Sequence, residues 1–485
     1  MSAESRVAAD PLHWSDTVVA HERHWLLALV ITLNTFAPFC FYATTSALKF
    51  IAASFPHGVN RVLWITDAYL IAIVCVTPMT GFLLRRMGHR TVLTLSIAGI
   101  LAAAVAASVA PTLPILIGAA FVLGMFVAPV QPATQTLIIA AYPGEHRALG
   151  MALWGAGSTV GVMVGYTAGS VLAEEISWRV MFAPALLLGA ASYLLVRRFA
   201  PSHRDVSDPI DWLELVAFSV GILGMGALLN LGPDMGWSAS PLTYVLAVAG
   251  VVGFVIFALR YRRERGRFVD LNVLHDRNLT LAIVIAFGVA ATSTGQIETA
   301  ELGTLLHFSG FFIGIRGALG GVAWLIGVLG GGWLVAHIGG RRALLVALLV
   351  LVWGRYGYTG YEPGLSMIGA LWPNIVTSVG YGLVGTSLAV LAFQNIPKRL
   401  SDAASSLYVL GWQLGPALGV AVLNGLVATR ESAMIADRVD ATEAHILATL
   451  SAIWLEFSCA LVLVPLVYWF RKRQQRAATT ESASP

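Results

Sequence analysis

Between Thr91 and Ala110, and again between Leu113 and Ala141, the chain runs without one Asp, Glu, Lys or Arg. A helical run of more than about 18 apolar residues bridges a hydrocarbon layer of about 30 Å and satisfies its own backbone hydrogen bonds. Runs of this kind recur along all 485 residues, of which 57% are hydrophobic and 12% charged. That charged share is about half that of an average water-soluble domain. No water-soluble fold hides so much apolar side chain, so the runs are read as membrane spans.

Apolar windows between charged or Pro/Gly-rich breaks predict helices over 25–51, 62–84, 91–111, 113–141, 149–173, 180–196, 212–231, 241–259, 279–297, 309–335, 343–359, 365–396, 403–428 and 449–470. The expectation is an all-α integral membrane protein of fourteen transmembrane helices. The basic residues test it, because cytoplasmic loops are enriched in Lys and Arg. With the N-terminus inside, the cytoplasmic segments hold 23 of the 30 Lys and Arg, the densest being Arg260–Arg267. The external loops hold Lys49, Arg61, Arg179, Arg355, Arg430 and Arg438, and Arg316 falls within a span. Both termini are therefore expected in the cytoplasm, and the protein in the cell (inner) membrane. The N-terminal stretch holds Arg6, Arg23 and four acidic residues and does not read as a cleaved signal, so the first span is expected to be retained. Cys40, Cys75 and Cys459 lie scattered in apolar runs, which predicts neither a disulfide framework nor a metal site.

Two stretches share the pattern Gly-x-Leu-x-x-x-x-Gly-x-Arg. One is Gly81-Phe-Leu-Leu-Arg85-Arg86-Met-Gly88-His-Arg90, after the second helix; the other is Gly332-Trp-Leu-Val-Ala-His-Ile-Gly339-Gly-Arg341, after the tenth. Each follows the second helix of a six-helix block. The chain thus divides into a tail (1–24), a six-helix bundle (25–200), two inserted helices with a basic loop (201–277), a second six-helix bundle (278–470) and a tail (471–485). Such duplication builds transporters around a central site.

The repeated stretch resembles the loop motif of the major facilitator superfamily, and fourteen spans resemble its drug:proton antiporter branch. Trp64-Ile-Thr-Asp67-Ala-Tyr69 is similar to the start of helix 2 in multidrug exporters of that branch. Trp178-Arg179-x-x-Phe182 resembles the start of helix 6, Phe268-Val-Asp270-Leu271 with Arg277-Asn278 the link into helix 9, and Arg316-Gly317 a pair in helix 10. The chain also departs from the family. Arg85 and Ala336 stand where the loop motif carries an acid, Ala120 where helix 4 carries an arginine, Cys40 where helix 1 often has aspartate, and Gly165-Tyr166 where helix 5 has Gly-Pro.

Charges inside a bilayer are expensive and mark functional candidates. Three stand out: Asp67, Glu456 and Arg316. Asp67 matches an acidic position of the resembled exporters. It either binds a proton or cationic substrate, or is a structural carboxylate reaching water or pairing with Arg61. Arg316 either attracts an anion or neutralises a carboxylate such as Glu298 or Glu301. Gly157, Gly161, Gly165 and Gly169 form a four-residue ladder, read as a gating contact between halves or as close packing; Gly415-Pro416 lies in its counterpart helix. Asn34, Gln131, Trp372 and Asn374 either line a cavity or bond between helices. The loop-motif arginines latch the cytoplasmic side or meet lipid headgroups.

The resemblance implies a secondary active transporter exporting hydrophobic or amphipathic molecules in exchange for protons; the departures favour an uncoupled facilitator or importer as the alternative. A membrane-embedded enzyme or receptor ranks last, since the loops leave no room for a soluble domain and no ATP-binding motif is present. A small-molecule substrate, protons and membrane lipids are the implied partners. No cofactor, metal or nucleic acid is expected, and the chain is read as a monomer.

Overall fold

The computed structural model describes residues 20–55, 62, 64–142, 146–202, 212–231, 240–262, 271–292, 310–361, 364–397 and 400–471; all regular structure among them is helical. In order the helices are α1 (Ala20–Ser46, continued by Leu48–Ser54), α2 (Trp64–Met87), α3 (His89–Ser108), α4 (Leu113–Ala141), α5 (Arg147–Leu172), α6 (Ala183–Phe199) and α7 (Trp212–Leu231). They continue with α8 (Pro241–Tyr261), α9 (Arg277–Ala291), α10 (Gly310–Ile338), α11 (Gly340–Tyr358), α12 (Met367–Ala392), α13 (Ser401–Ala436) and α14 (Ala441–Leu463). Among the described residues, nine helical stretches are long and apolar enough to cross a membrane; one of them, Arg147–Phe199, contains both α5 and α6. α7 and α9 contribute shorter apolar stretches, and α11, with its three arginines, and α13 fall outside that set.

Local chemistry explains where helices begin. Ser240, Asp276 and Ser366 each accept a backbone N–H of the following first turn, at Leu242, Leu279 and Gly369. Such caps satisfy donors that a helix start leaves open. Within α2 the chain tightens to a 3-10 turn at Thr77–Met79, where Pro78 removes a backbone donor.

The helices gather in two groups with matching neighbours. In the first, α1 packs on α5 and α6, and α2 on α4; in the second, α9 packs on α13 and α10 on α12. α7 and α8 pair with each other, and α7 leans on α2 and α13. The outer face of α8 exposes Leu242, Val245, Val248, Val251, Val252, Val255 and Leu259. A continuous apolar face of that extent is stable against lipid and not against water.

The α5 glycine ladder turns to α1 of its own half. A Cβ at Gly157 would meet the Ile31 backbone at 3.1 Å, and Gly161, Gly165 and Gly169 crowd the carbonyls of Thr35, Phe39 and Ala43. The gating contact between halves considered for this ladder is therefore corrected to close packing inside one half. Gly411, Gly415 and Gly419 of α13 repeat the arrangement against Ile283, Phe287 and Ala291 of α9. The helix runs through Pro416 without a break.

Candidate transport site and the interface between the halves

The two glycines and the arginine of the repeated pattern each have a definable task. Gly88 and Gly339 take φ of 78° and 82° with ψ of 153° in both, a left-handed turn that favours glycine. The two arginines that follow reach the sixth helix of their own half. Arg90 Nε donates to the Ala200 carbonyl at 2.9 Å, at the end of α6; Arg341 Nη2 donates to the Tyr468 carbonyl at 2.6 Å, beyond the end of α14. A helix C-terminus leaves carbonyls unpaired and carries partial negative charge, which a guanidinium satisfies.

The first glycines reach the other half. A Cβ at Gly81 would lie 3.0 Å from Ala403 Cα, at the start of α13, and one at Gly332 would lie 2.8 Å from Ala152 Cβ, near the start of α5. The fifth helix of each half thus abuts the loop motif of the opposite half. Around this contact, His89 Nε2 lies 3.6 Å from Asp402 and 2.9 Å from Thr136 Oγ1, and Arg147 donates to the Phe393 carbonyl at 2.7 Å. Further into the bundle, the Thr77 hydroxyl donates to Gln413 Oε1 at 2.6 Å, and Met163 packs on Gly321. The halves meet from the motif end inward. Arg85 and Arg86, part-buried, form the last turn of α2 at this same end.

At the opposite end the first half presents aromatic rings. Phe41 and Tyr69 stack at 4.2 Å, and Tyr42 and Tyr166 lie 5.2 Å apart. Asp67, part-buried, sits in the first turn of α2, two residues before Tyr69; Arg61, considered as its partner, lies outside the described residues. Arg179 donates to the Ser108 and Ala110 carbonyls, both at 2.9 Å, and Trp178 Nε1 to Ser54 Oγ at 2.9 Å. That sequence motif is a staple joining the ends of α1, α3 and α6.

Of the residues read as cavity lining or interhelix ties, Asn34 is fully buried among α1, α4 and α5. Its Oδ1 accepts from Thr134 at 3.0 Å, and its Nδ2 donates to the Trp154 carbonyl at 3.3 Å. Gln131 and Trp372 are part-buried, Trp372 lying 5.9 Å from Trp353. Asn374 Nδ2 donates to the Arg316 carbonyl at 2.8 Å, tying α12 to α10.

The second half holds a buried charged group. Arg355, which the sequence places in an external loop, lies inside α11 and is 2% exposed. Its Nη1 donates to Glu456 Oε2 of α14 at 2.6 Å, and its Nη2 to the Tyr381 hydroxyl of α12 at 2.6 Å; Tyr381 donates to the Val289 carbonyl of α9 at 3.1 Å. Arg316 Nη2 lies 3.4 Å from the Tyr358 hydroxyl. Glu456 is about four turns into its helix, because α14 starts at Ala441 and not at 449 as the apolar window suggests. Glu298 and Glu301, considered as partners of Arg316, lie outside the described residues. The signal for Arg355 was present, since it interrupts an apolar run before that run ends. Counting it as a loop charge hid it.

Residues 30–420 match the sequence profile of the Major Facilitator Superfamily. The chain belongs to the Major Facilitator Superfamily. It is 25% identical over 396 residues to the fatty acid resistance protein FarB of Neisseria gonorrhoeae, covering 80% of this chain and 77% of that one. It is 22% identical over 397 residues to the multidrug export protein EmrB of Escherichia coli K12, covering 80% and 76%. In shape it is similar to the proton:xylose symporter XylE bound to 6-bromo-6-deoxy-D-glucose, with a TM-score of 0.67 at 13% identity over 93% of this chain and 96% of that one. It is also similar to the human organic anion transporter MFSD10, with a TM-score of 0.64 at 15% identity, covering 92% and 99%. Members of the superfamily are multi-pass membrane proteins that move small molecules, and this chain has their all-helical fold. The five positions that depart from the drug:proton branch fall at different places in the fold. Arg85 ends α2 at the closed end, Cys40 and Ala120 are buried in α1 and α4, and Gly165 serves the α1 contact. Ala336 lies in the last turn of α10.

Proposed function

We propose that this transporter exports hydrophobic or amphipathic small molecules from the cytoplasm in exchange for protons. The carrying observation is the relationship, over four-fifths of the chain, to proteins named for multidrug export and fatty acid resistance. Aromatic rings from α1, α2 and α5 near Asp67 suit a bulky apolar ligand. In this reading fourteen helices span the cell (inner) membrane. The bundles of 25–200 and 278–470 rock about the inserted pair, the 1–24 and 471–485 tails lie in the cytoplasm, and the chain works as a monomer among lipids. The Lys and Arg distribution supports a cytoplasmic motif end, and in this reading the halves meet on the cytoplasmic side.

Asp67 is the acid assigned to the first half of the cycle, where it takes a proton or a cationic substrate. The test is transport in reconstituted vesicles against a panel of amphipathic dyes. Wild-type protein accumulates substrate uphill when a proton gradient is imposed, and Asp67→Asn loses this for at least some substrates while still folding. Equal uphill transport in the variant would remove Asp67 from coupling. The second reading is an uncoupled facilitator, favoured by Ala120 and Cys40 at positions where the branch carries charge. It requires wild-type transport that ignores the gradient.

A further inference from the structure

Arg355 of α11 and Glu456 of α14 are held 2.6 Å apart with side chains 3% and 4% exposed. Replacing such a pair by apolar side chains is often neutral or stabilising, so stability alone does not require it. We propose that Glu456 is a proton-binding site of the transport cycle, with Arg355 as its fixed counter-ion. The proposal rests on the proton-driven reading above and adds a site in the second half that is independent of Asp67.

A guanidinium keeps its proton at every pH a protein meets, so only Glu456 can change the charge of the pair. A proton adding to the carboxylate leaves a neutral carboxyl beside a cation and weakens the bond; losing that proton to the other side restores it. The change has somewhere to go. Arg355 also holds Tyr381 of α12, and Tyr381 holds the Val289 carbonyl of α9. α12 packs against α5 of the first half and α9 against α13, which meets α2 and α4. A weakened pair therefore acts on helices that touch the opposite half.

The buried groups also form a column in depth. With a rise of about 1.5 Å per residue, Arg316 lies about 33 Å along α10 from Ile338, and Tyr358 and Arg355 about 27 Å and about 22 Å along α11 from Gly340. Arg316, Tyr358 and Arg355 thus step inward from the end opposite the motif, linked by the 3.4 Å approach of Arg316 to the Tyr358 hydroxyl and by Arg355 over the same ring. Glu456 meets Arg355 of α11, which also holds Tyr381 of α12 and lies over the Tyr358 ring that Arg316 of α10 approaches; Cys459 lies one turn along α14. α13 brings Arg430 and Glu431, engaged with Ser451 and His445.

The test compares wild type, Glu456→Gln and the paired Arg355→Met/Glu456→Leu variant in vesicles. The pair is included because removing one partner alone strands a buried charge. Both variants are expected to lose gradient-driven uphill transport by at least about fivefold, the low end of a coupling between sites, at equal amounts of folded protein in the vesicles. Uphill transport within about twofold of wild type in a folded variant overturns the proposal. On wild-type protein, dicyclohexylcarbodiimide, which attacks protonated carboxyls from the lipid phase, is expected to label Glu456 in acidic medium and not in alkaline medium. Absence of label in acidic medium also overturns it. A wild type indifferent to the gradient refutes the export reading itself; a responsive wild type with equally responsive variants refutes only the assignment of Glu456.

Discussion

His89, in the loop motif of the first half, lies 3.6 Å from Asp402, in the first turn of α13 in the second half. The motif's usual acid is Arg85 here, so the carboxylate at this junction sits on the partner helix. A helix N-terminus favours negative charge there. Burial holds the His89 imidazole below its usual range and Asp402 only partly offsets this, so the contact is a weak one of under about 1 kcal/mol that strengthens as pH falls and the ring takes a proton. Asp402→Asn is expected to shift the population about two- to fivefold toward states open at the motif end. Spin labels at the ends of α2 and α13 read this as a longer distance component, and an unchanged distribution would show the pair to be incidental.

Gly161 touches the Thr35 carbonyl and Pro38, so any side chain forces α5 away from α1. Gly161→Val is expected to lower stability by about 1–3 kcal/mol, the range for overfilling a packed contact. Gly317, with open space around its Cβ position, is the control. There Gly→Ala is expected to be neutral or stabilising by up to about 1 kcal/mol in a helix interior. Thermal unfolding in detergent separates the two.

Arg90→Ala removes a cationic donor from the Ala200 carbonyl and leaves the end of α6 uncapped. A hydrogen bond to a charged group contributes about 1.5–3 kcal/mol, and a loss in that range is expected. Arg341→Ala should cost less, because its bond to the Tyr468 carbonyl is solvent-exposed. Denaturation of the two single variants, measured side by side, tests the order.

The sequence revealed the class of fold through hydropathy and the two related halves through a ten-residue pattern. It revealed less about the tasks within that pattern. Gly81 and Arg90 read alike as motif letters, yet one touches the opposite half and the other its own sixth helix, and only three-dimensional packing separates these. The glycine ladder was visible, but its direction was not, since a four-residue spacing defines a face and not a neighbour. Arg355 was missed because charge counting assigns basic residues near helix ends to loops. Its partner Glu456 lies 101 residues further along the chain, and no local pattern joins them.

Asn34 separates two roles that its sequence left open. Its side chain is wholly buried, accepts from Thr134 and donates to the Trp154 carbonyl, and Trp154 Nε1 closes the knot on Thr134 at 3.1 Å. One amide thereby joins α1, α4 and α5. Asn34→Leu removes two interhelical hydrogen bonds, each contributing about 0.5–1.5 kcal/mol, so it is expected to lower stability by about 1–3 kcal/mol, while Thr134 keeps its bond to the Val130 carbonyl. A residue engaged this way does not face substrate, so the variant's relative preference among transported dyes should match wild type even where total transport falls with the amount of folded protein. A changed preference at unchanged stability would return Asn34 to the cavity wall.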